Sequence, residues 1–271
     1  MKNEVFWKNP GYKIRKNLNK NIECDYLIVG GGVTGVSTAY FLAKKGAKNI
    51  ILIEKDHIAS GATGMAAGVL TPHTDQFNLK ELIDYYGHRK GLLFWYNTIH
   101  SLHKMKQIIK NENIDCDFEE EPTIAAEYNY KSFQNVLEEY NVTKEVHLYA
   151  KLLLKKELEK EIHTKLFSKG VLSYQGASIN PLKYSQNLSK KLDKMNVKIY
   201  ENTPLIEIKD DIAHTKNSKI KFKKVILAID AHHKISKIKP VKTTIAVTKR
   251  LTKKQLKQTG LINKLLFLLI N

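Results

Sequence analysis

Hydrophobic residues near the start of the chain fall into short uninterrupted runs, which predict a buried strand, a helix and a second buried strand. Residues 26–29 form the first run and lead directly into a group of glycines. Small and apolar residues then occupy 36–43, and the run stops before Gly46, where a glycine is well suited to end a helix. The second apolar run, 49–53, ends in Glu54. Because short apolar runs are typical of strands buried on both faces of a parallel sheet, the pattern predicts a β–α–β unit.

The pattern of apolar and polar positions predicts further helices and strands along the rest of the chain. Helical periodicity runs from residue 79 to about 114, and a strand is predicted at 123–126. The other predicted helices are 130–140, 152–165 and a helix from Pro181 to about 195. The other predicted strands are 173–180 with a turn, 197–200, 205–208 and a hairpin at 212–221.

The glycines after the first strand give the first chemical signal. Gly30, Gly32 and Gly35 stand at G-x-G-x-x-G spacing between the predicted strand and helix. In this motif the first glycine makes the turn, the second lets the backbone approach a pyrophosphate, and the third lets the helix pack near the strand. Glu54 lies at the distance where an acidic residue takes ribose hydroxyls. The pattern favours a dinucleotide site over a glycine-rich turn of another α/β domain, in which Glu54 would be a solvated strand end.

A second segment, residues 58–70, is rich in Gly, Ala, Ser and Thr and carries no charge. Small residues would let a flat ligand lie against the backbone, while hydroxyl and N–H groups bind its phosphates. The alternative is a small-residue loop or a packing seam between helices.

Together the two motifs resemble the FAD-dependent oxidoreductases of the D-amino-acid oxidase and glycine oxidase family. The resemblance implies that Val33 and Thr34 lie at the pyrophosphate and that Glu54 and Lys55 lie at the adenosine ribose. Leu205, which follows an Asn-Thr-Pro sequence, would pair its backbone with adenine. The residues implied to line the diphosphate and flavin side are Ala62, Thr63, Ala67, Gly68 and Val69. We expect FAD to be bound non-covalently, since no Cys or His stands in a matching attachment motif.

Weaker similarities to the same family continue farther along the chain. The segment 179–181, Ile-Asn-Pro, resembles the point where the family's chain returns from the substrate lobe to the FAD domain. Residues 225–231 resemble the strand that returns to the cofactor, although Ile229 and Asp230 replace small polar residues there. Residues 241–251 resemble the first strand of the family's sheet over the flavin, and 252–260 resemble the helix that follows it. The run 114–118 resembles the substrate lobe of gamma-glutamylputrescine oxidoreductase-like members.

The resemblance implies an α/β fold with two parts. A Rossmann-like FAD-binding domain, with a parallel sheet and flanking helices, would be joined by an incomplete α+β substrate lobe with a mixed or antiparallel sheet. The expected segments are an N-terminal arm (1–24), an FAD-binding domain in two parts (25–80 and 176–235), a mainly helical substrate-side lobe (81–175), and the start of a substrate sheet with a truncated tail (236–271).

The function implied by the resemblance is oxidation of a C–N bond in a small amine or amino acid, by hydride transfer to the flavin. No residue is predicted to be catalytic, because the flavin performs the chemistry. Because the family's later substrate-sheet segments are missing from this sequence, an inactive FAD-fold fragment is the alternative, as is half of a split enzyme completed by another chain or by self-association. An NAD-dependent dehydrogenase is less favoured because of the 58–70 segment.

The composition of the chain argues against nucleic-acid binding, metal binding and thiol catalysis. The formal charge is +18, but all except three of the 45 basic residues are lysines, and they are scattered. Arginine is preferred for bidentate phosphate and base contacts, so we expect no specific nucleic-acid partner. Two isolated cysteines and histidines without ligand spacing predict no metal site, and Cys116, between two acids, should be a poor nucleophile. Without a signal or transmembrane segment, the expected location is cytoplasmic.

Overall fold

A computed structural model describes residues 6–71, 79–127, 150–230 and 247–261, the single residues 137, 140, 141, 144 and 245, and the backbone of 265–269. The chain divides into two compact units. The first comprises Met1–Gly68, Ile109–Asp117 and Asn180–Ala246, and the second comprises Val69–Ile108, Phe118–Ile179 and Val247–Asn271.

Helices and strands alternate from Ile22 to Tyr86, and runs of consecutive strands follow later in the chain. The helices are α1 (Val33–Lys44), α2 (Ala62–Met65), α3 (Leu79–Tyr86), α4 (His88–Asn111), α5 (Lys155–Ile162), α6 (Pro181–Lys194) and α7 (Lys253–Thr259). The strands are β1 (Ile22–Val29), β2 (Ile50–Ile53), β3 (Val69–Leu70), β4 (Glu119–Glu120), β5 (Thr123–Glu127), β6 (Ala150–Leu154), β7 (Lys169–Ser173), β8 (Ala177–Ser178), β9 (Lys198–Tyr200), β10 (Leu205–Lys209), β11 (Ile212–Thr215), β12 (Lys219–Leu227) and β13 (Leu265–Leu269).

A six-stranded sheet organises the first unit, in the order β10-β11-β12-β1-β2-β9. The four strands from β12 to β9 are parallel, and Leu27 at the centre of β1 is paired with Val225 on one side and Ile51 on the other. Strands β10 and β11 extend the sheet as antiparallel neighbours. This sheet confirms the predicted parallel arrangement of the first β–α–β unit.

Both faces of the central strands are buried, as their uninterrupted apolar sequence predicts. The side chains of Leu27, Ile28, Leu52 and Ile53 have no exposed surface. Helix α1 contributes its buried Val36 and Ala39, with Tyr40 almost fully covered.

Helix α6 begins where the sequence predicts. Its N-cap, Asn180, accepts a hydrogen bond from the Lys183 N–H at 3.0 Å, and Pro181 occupies the first helical position. Proline is tolerated there because its missing N–H has no intrahelical partner. The helix then buries Leu182, Leu188 and Leu192.

The second unit contains a mixed sheet, β13-β5-β7-β6, and a small antiparallel sheet, β3-β8-β4. In the mixed sheet only the β13–β5 pair is parallel. Its core is apolar and includes the fully covered Ile124, Leu153 and Leu158. The mixed and antiparallel sheets confirm the fold class predicted for this part of the chain.

Several predicted boundaries are wrong. Strand β1 begins at Ile22, because residues 22–24 extend the parallel ladder with β12. The helix predicted over 152–165 starts only at Lys155, since the preceding leucines belong to β6 and pair with β7. The separate strands predicted near 221 and 225 are one continuous β12.

The remaining differences concern helices and the later part of the chain. The helical stretch predicted from 79 is interrupted by Gly87, whose φ of +80° ends α3 before α4 starts. The strand predicted at 241–251 is not present among its described residues, 245 and 247–251, and the rest of it lies outside the described residues. Most of the predicted 130–140 helix also lies outside them. The helix predicted at 252–260 is confirmed as α7, which is capped by Thr252 and ends at Gly260 with φ of +71°.

No helix in the described part of the chain is both long and apolar enough to span a membrane.

Candidate cofactor site

Two of the glycines after β1, Gly30 and Gly35, are required by close approach of the backbone. Gly30 has φ of +108°, and a Cβ there would lie 2.2 Å from the carbonyl oxygen of Ala228. A Cβ on Gly35 would lie 1.9 Å from the carbonyl oxygen of Gly30, so no other residue lets α1 pack this near the strand. Both positions agree with the roles that the spacing predicts for the first and third glycines of the motif.

Glu54 lies at the end of β2 and turns its carboxylate to the glycine turn. Its Oε2 accepts the N–H of Gly31 at 2.6 Å, and its Oε1 accepts the N–H of Asp56 at 3.0 Å. The residue is only 8% exposed. A carboxylate has about four lone-pair positions, so acceptor capacity is left after these two bonds.

The N-terminus of α1 lies beside this turn. Gly32 is its N-cap and has no side chain to satisfy the first N–H groups of the helix. Thr63 accepts one of them, from Val33, with its hydroxyl oxygen at 3.0 Å. Thr34 is exposed, and with Val33 it lines a shallow groove of about 550 Å³ along the outer face of α1.

The small-residue segment folds back onto the same turn. The N–H of Ala59 donates to the carbonyl of Gly31 at 3.0 Å. Short helix α2 follows, with Ala62 exposed and Thr63 half-buried. After it the exposed Ala67 leads into Gly68, which has φ of +80°. Of the predicted ribose pair, Lys55 is exposed, whereas Glu54 is buried.

The turn that precedes Leu205 is bonded to the end of β2 and the residues after it. The N–H of Thr203 donates to the carbonyl of Glu54 at 2.7 Å, and the N–H of Asn202 donates to the carbonyl of Asp56 at 2.7 Å. Leu205 starts β10, where it pairs with Thr215 beside an irregularity in the ladder. In the strand order of the sheet, β9 and β10 stand at opposite edges, although one short turn joins them.

Val69 is the one predicted site residue that belongs to the second unit. It pairs with Ser178 in the small antiparallel sheet. It also lines a groove of about 530 Å³ in that unit, together with Leu70, Thr71, Phe94, Asn97, Thr98, Ser101, Leu102 and Met105.

The sequence interpretation missed the buried polar group that supports the 58–68 segment. Glu201, whose side chain has no exposed surface, accepts the N–H of Ile58 at 2.7 Å. The same carboxylate accepts the Tyr12 hydroxyl at 2.8 Å and the Arg15 N–H at 2.6 Å. Neither spacing nor composition marks these residues, because their partners are far away in the sequence.

The two cysteines have no place in this site. Burial, together with the carboxylates of Asp115 and Asp117, raises the pKa of the Cys116 thiol to about 12, so it is a thiol at neutral pH. This confirms the prediction of a poor nucleophile. Burial likewise raises the pKa of Cys24 to about 11. Within the described ranges, no group of three or more His, Cys, Asp and Glu side chains is placed to hold a metal ion.

Comparisons with known proteins agree with this geometry. The family model described as FAD dependent oxidoreductase, DAO, matches residues 25–267. The YhfW protein of Bacillus subtilis (strain 168), described as a Rieske 2Fe-2S iron-sulfur protein, is 29% identical over 76% of this chain and 39% of its own length. Gamma-glutamylputrescine oxidoreductase of Escherichia coli (strain K12) is 24% identical over 79% of this chain and 51% of its own length.

A solved structure supports the fold independently. The crystal structure of glycine oxidase from Geobacillus kaustophilus superimposes with a TM-score of 0.63, at 19% identity, over 76% of this chain and 55% of that chain. The chain therefore spans roughly 40–55% of the length of these relatives. Since the family model covers most of the sequence, the chain belongs to the DAO family of FAD-dependent oxidoreductases.

Proposed function

We propose that the first unit binds the dinucleotide part of FAD, and that the protein acts as an oxidoreductase on the C–N bond of a small amine or amino acid. The observation that carries the proposal is the placement of the Glu54 carboxylate. Backbone N–H groups hold it at the end of β2, beside a glycine turn that admits no Cβ at Gly30 or Gly35.

Glu54 fits the adenosine ribose because its carboxylate keeps acceptor capacity after binding Gly31 and Asp56. Two adjacent ribose hydroxyls are donors that such a carboxylate accepts well, and a charged acceptor strengthens each bond. The backbone bonds also fix the carboxylate before the ligand arrives, which lowers the entropy cost of binding.

The start of α1 fits a diphosphate. Its first N–H groups have no intrahelical partners, and the helix dipole favours a negative charge at that end. The hydroxyl of Thr63 already accepts the N–H of Val33, so its own proton is available to a phosphate oxygen. A helix N-terminus after a glycine turn is a common phosphate site.

The proposed cofactor residues of the first unit comprise those of the glycine turn, the end of β2, the 58–68 segment and the start of β10. They are Gly30, Gly32, Val33, Thr34, Gly35, Glu54, Lys55, Ala62, Thr63, Ala67, Gly68 and Leu205. The role of Val69 in the second unit stays a prediction from the family resemblance.

When bound, FAD supplies a hydride acceptor for the carbon next to an amine nitrogen. The C–N specificity is supported by the names of the relatives, which include a gamma-glutamylputrescine oxidoreductase and a glycine oxidase. In this chain the described residues serve to bind and orient the dinucleotide.

The first test is cofactor binding by the purified chain. We expect FAD to bind and NAD not to bind in titration calorimetry, and we expect acid to release unmodified flavin. Gly32→Val should abolish FAD binding, because a β-branched side chain occupies the approach to the pyrophosphate. Lys221→Val is the control, since it places the same β-branched side chain at an exposed position of strand β12. Binding of NAD in place of FAD would contradict the proposal.

Glu54→Ala should weaken FAD binding by about ten- to a hundredfold, because it removes a charged acceptor. Glu23→Ala, at an exposed position of β1, is its matched control. The C–N specificity is tested by mixing flavin-loaded protein with D-amino acids, glycine, sarcosine or polyamines, with oxygen or a dye as acceptor. Flavin reduction by hydroxy acids alone, and by none of the amines, would refute that part of the proposal.

A further inference from the structure

The segment between Glu54 and α2 has an unusual conformation directly against the glycine turn. Ala59 has φ of +62°, in the left-handed region that residues with a Cβ rarely adopt. The side chain of Ile58 packs directly on Gly31, since a Cβ on Gly31 would lie only 2.6 Å from the Cδ1 of Ile58. Such a conformation persists only where the surrounding structure holds it in place.

Two buried side chains hold both backbone groups of Ile58. The carboxylate of Glu201 accepts its N–H at 2.7 Å, and the amide nitrogen of Gln186 donates to its carbonyl oxygen at 3.1 Å. The next N–H, of Ala59, donates to Gly31 at 3.0 Å. The strained residue therefore lies between a polar cluster on one side and the glycine turn on the other.

The N-terminal arm, residues 6–20, supplies the outer partners of this cluster. Asn9 donates to the amide oxygen of Gln186 at 3.0 Å. Tyr12 and the backbone of Arg15 donate to Glu201, and the guanidinium of Arg15 pairs with Asp193 at 2.6 Å. Burial raises the pKa of the Tyr12 hydroxyl far above its usual value, which keeps it a donor at any working pH.

The arm also contacts the far end of the same segment. The indole N–H of Trp7 donates to the carbonyl oxygen of Ala66 at 2.8 Å. The arm thus reaches residues 58–66 at both ends, once directly and once through Glu201 and Gln186. A segment held at both ends has fewer conformations available than one held by its neighbours in sequence alone.

We propose that Trp7, Asn9, Tyr12 and Arg15 are positioning residues for the cofactor site, which hold Ala59 in its strained conformation against the glycine turn and so set the affinity for FAD. The proposal rests on the proposed function, since it presumes that the first unit binds FAD. Releasing the arm lowers the fraction of molecules whose turn is competent to bind, and the apparent dissociation constant rises by the same factor.

The test measures FAD dissociation constants by flavin fluorescence for three variants. The double variant Trp7→Phe/Tyr12→Phe leaves an aromatic side chain at both positions but removes two hydrogen bonds to the segment and its cluster. We expect its FAD dissociation constant to rise by about fivefold to tenfold. The control, Tyr40→Phe, removes a phenol–carboxylate bond of 2.7 Å to Glu112 in the same unit and should change affinity by less than about twofold.

The third variant adds Ala59→Gly to the double variant. Glycine adopts φ of +62° without strain, so FAD affinity should return to within about threefold of the parent value. A merely structural role of the arm predicts no such rescue. The melting temperatures of the FAD-free variants, and of the single variant Tyr12→Phe, show whether a substitution destabilises the fold. A variant that melts like the parent but binds FAD more weakly has lost positioning only.

Failure of the parent chain to bind FAD would refute the proposed function itself. If the parent binds FAD, three results would each overturn the positioning role: equal affinity in the double variant, an equal loss in Tyr40→Phe, or no recovery with Ala59→Gly.

Discussion

The two units bury different kinds of side chain. The first unit buries a set of polar and charged groups, most of them with hydrogen-bond partners in the described structure: Glu54, Asn180, Ser185, Gln186, Ser189, Glu201, Thr203, Thr215 and Ser218. The described core of the second unit consists of two apolar clusters, one around Leu158 and Ile124 and one of Leu79, Leu82 and Trp95. Its buried polar residues are Thr123 and Ser173. The second unit also exposes large apolar side chains on α3 and α4, among them Tyr85, Leu93 and Phe94.

The difference between polar and apolar burial affects how accurately each unit positions its backbone groups. An apolar side chain is satisfied by any neighbour of suitable shape, whereas a buried polar group needs one partner at one distance. Polar burial therefore places backbone groups accurately, as at Ile58, but it tolerates substitution poorly. The first unit should respond to the chemistry of a substitution, and the second mainly to its volume.

The largest expected effect is that of Glu201→Ala. This substitution leaves the Tyr12 hydroxyl and the N–H groups of Arg15 and Ile58 without an acceptor. We expect the free energy of unfolding to fall by about 3–5 kcal/mol in urea denaturation, because three donors in a buried cluster lose their acceptor together. Glu207→Ala, at a partly exposed ion pair with Lys209, should change it by less than about 0.5 kcal/mol. An equal loss of unfolding free energy in the two variants would show that the buried hydrogen bonds of Glu201 contribute no more to stability than an exposed ion pair.

A pair of methionine substitutions compares the two units directly. Gln186→Met keeps the approximate volume but leaves the carbonyl of Ile58 without its donor, and should cost about 1–3 kcal/mol. Leu158→Met in the apolar core should cost less than about 1.5 kcal/mol, because it replaces one apolar side chain with another of similar size. Urea denaturation of both variants measures the difference. A larger loss in Leu158→Met would reverse the comparison.

The smallest expected effect tests a polar contact of the first unit that is exposed. A hydrogen bond from Lys183 at 2.7 Å, with a further one from Asn180, lowers the pKa of the Asp117 carboxyl below its usual value. Since the folded pKa lies below the unfolded one, this contribution to stability is present above about pH 4 and is lost as the pH falls through the folded value.

Asp117→Asn should therefore lower the free energy of unfolding by about 0.5 kcal/mol at pH 7, with the difference from the parent shrinking toward pH 3. Unfolding curves at several pH values measure it. A loss that stays constant from pH 7 to pH 3 would mean that the charge of Asp117 is not responsible.

Local signals in the sequence predicted much of the fold. The glycine spacing and Pro181 at the first position of α6 each act through neighbouring backbone groups, so their meaning is contained in a few residues. The sequence predicts a helix that includes leucines 152–154, because a short apolar run does not distinguish a helix from a buried strand. These leucines form a strand because they pair with β7, which is a contact between residues distant in the sequence.

The proposed cofactor residues could be predicted from local sequence, whereas the buried residues that hold them in place could not. Glu54 could be proposed from its distance to the glycines, since both lie in one β–α–β unit. Glu201, Gln186 and Tyr12 could not, because each functions through a partner that is distant in sequence. A buried polar residue with no local pattern is indistinguishable in sequence from an exposed one.

The pairing of β1 with β12 has a consequence for how the protein is made. Ile22 is the neighbour of Ile220 and Val29 of Leu227, whereas the other edge of β1 pairs with the nearby β2. On the ribosome, β1 and β2 emerge early, but one edge of β1 stays open until β12 has been synthesised. An open apolar edge is a template for association with other chains, and such long-range pairing forms slowly. The half-made chain is therefore the stage at which association with other chains is most favoured.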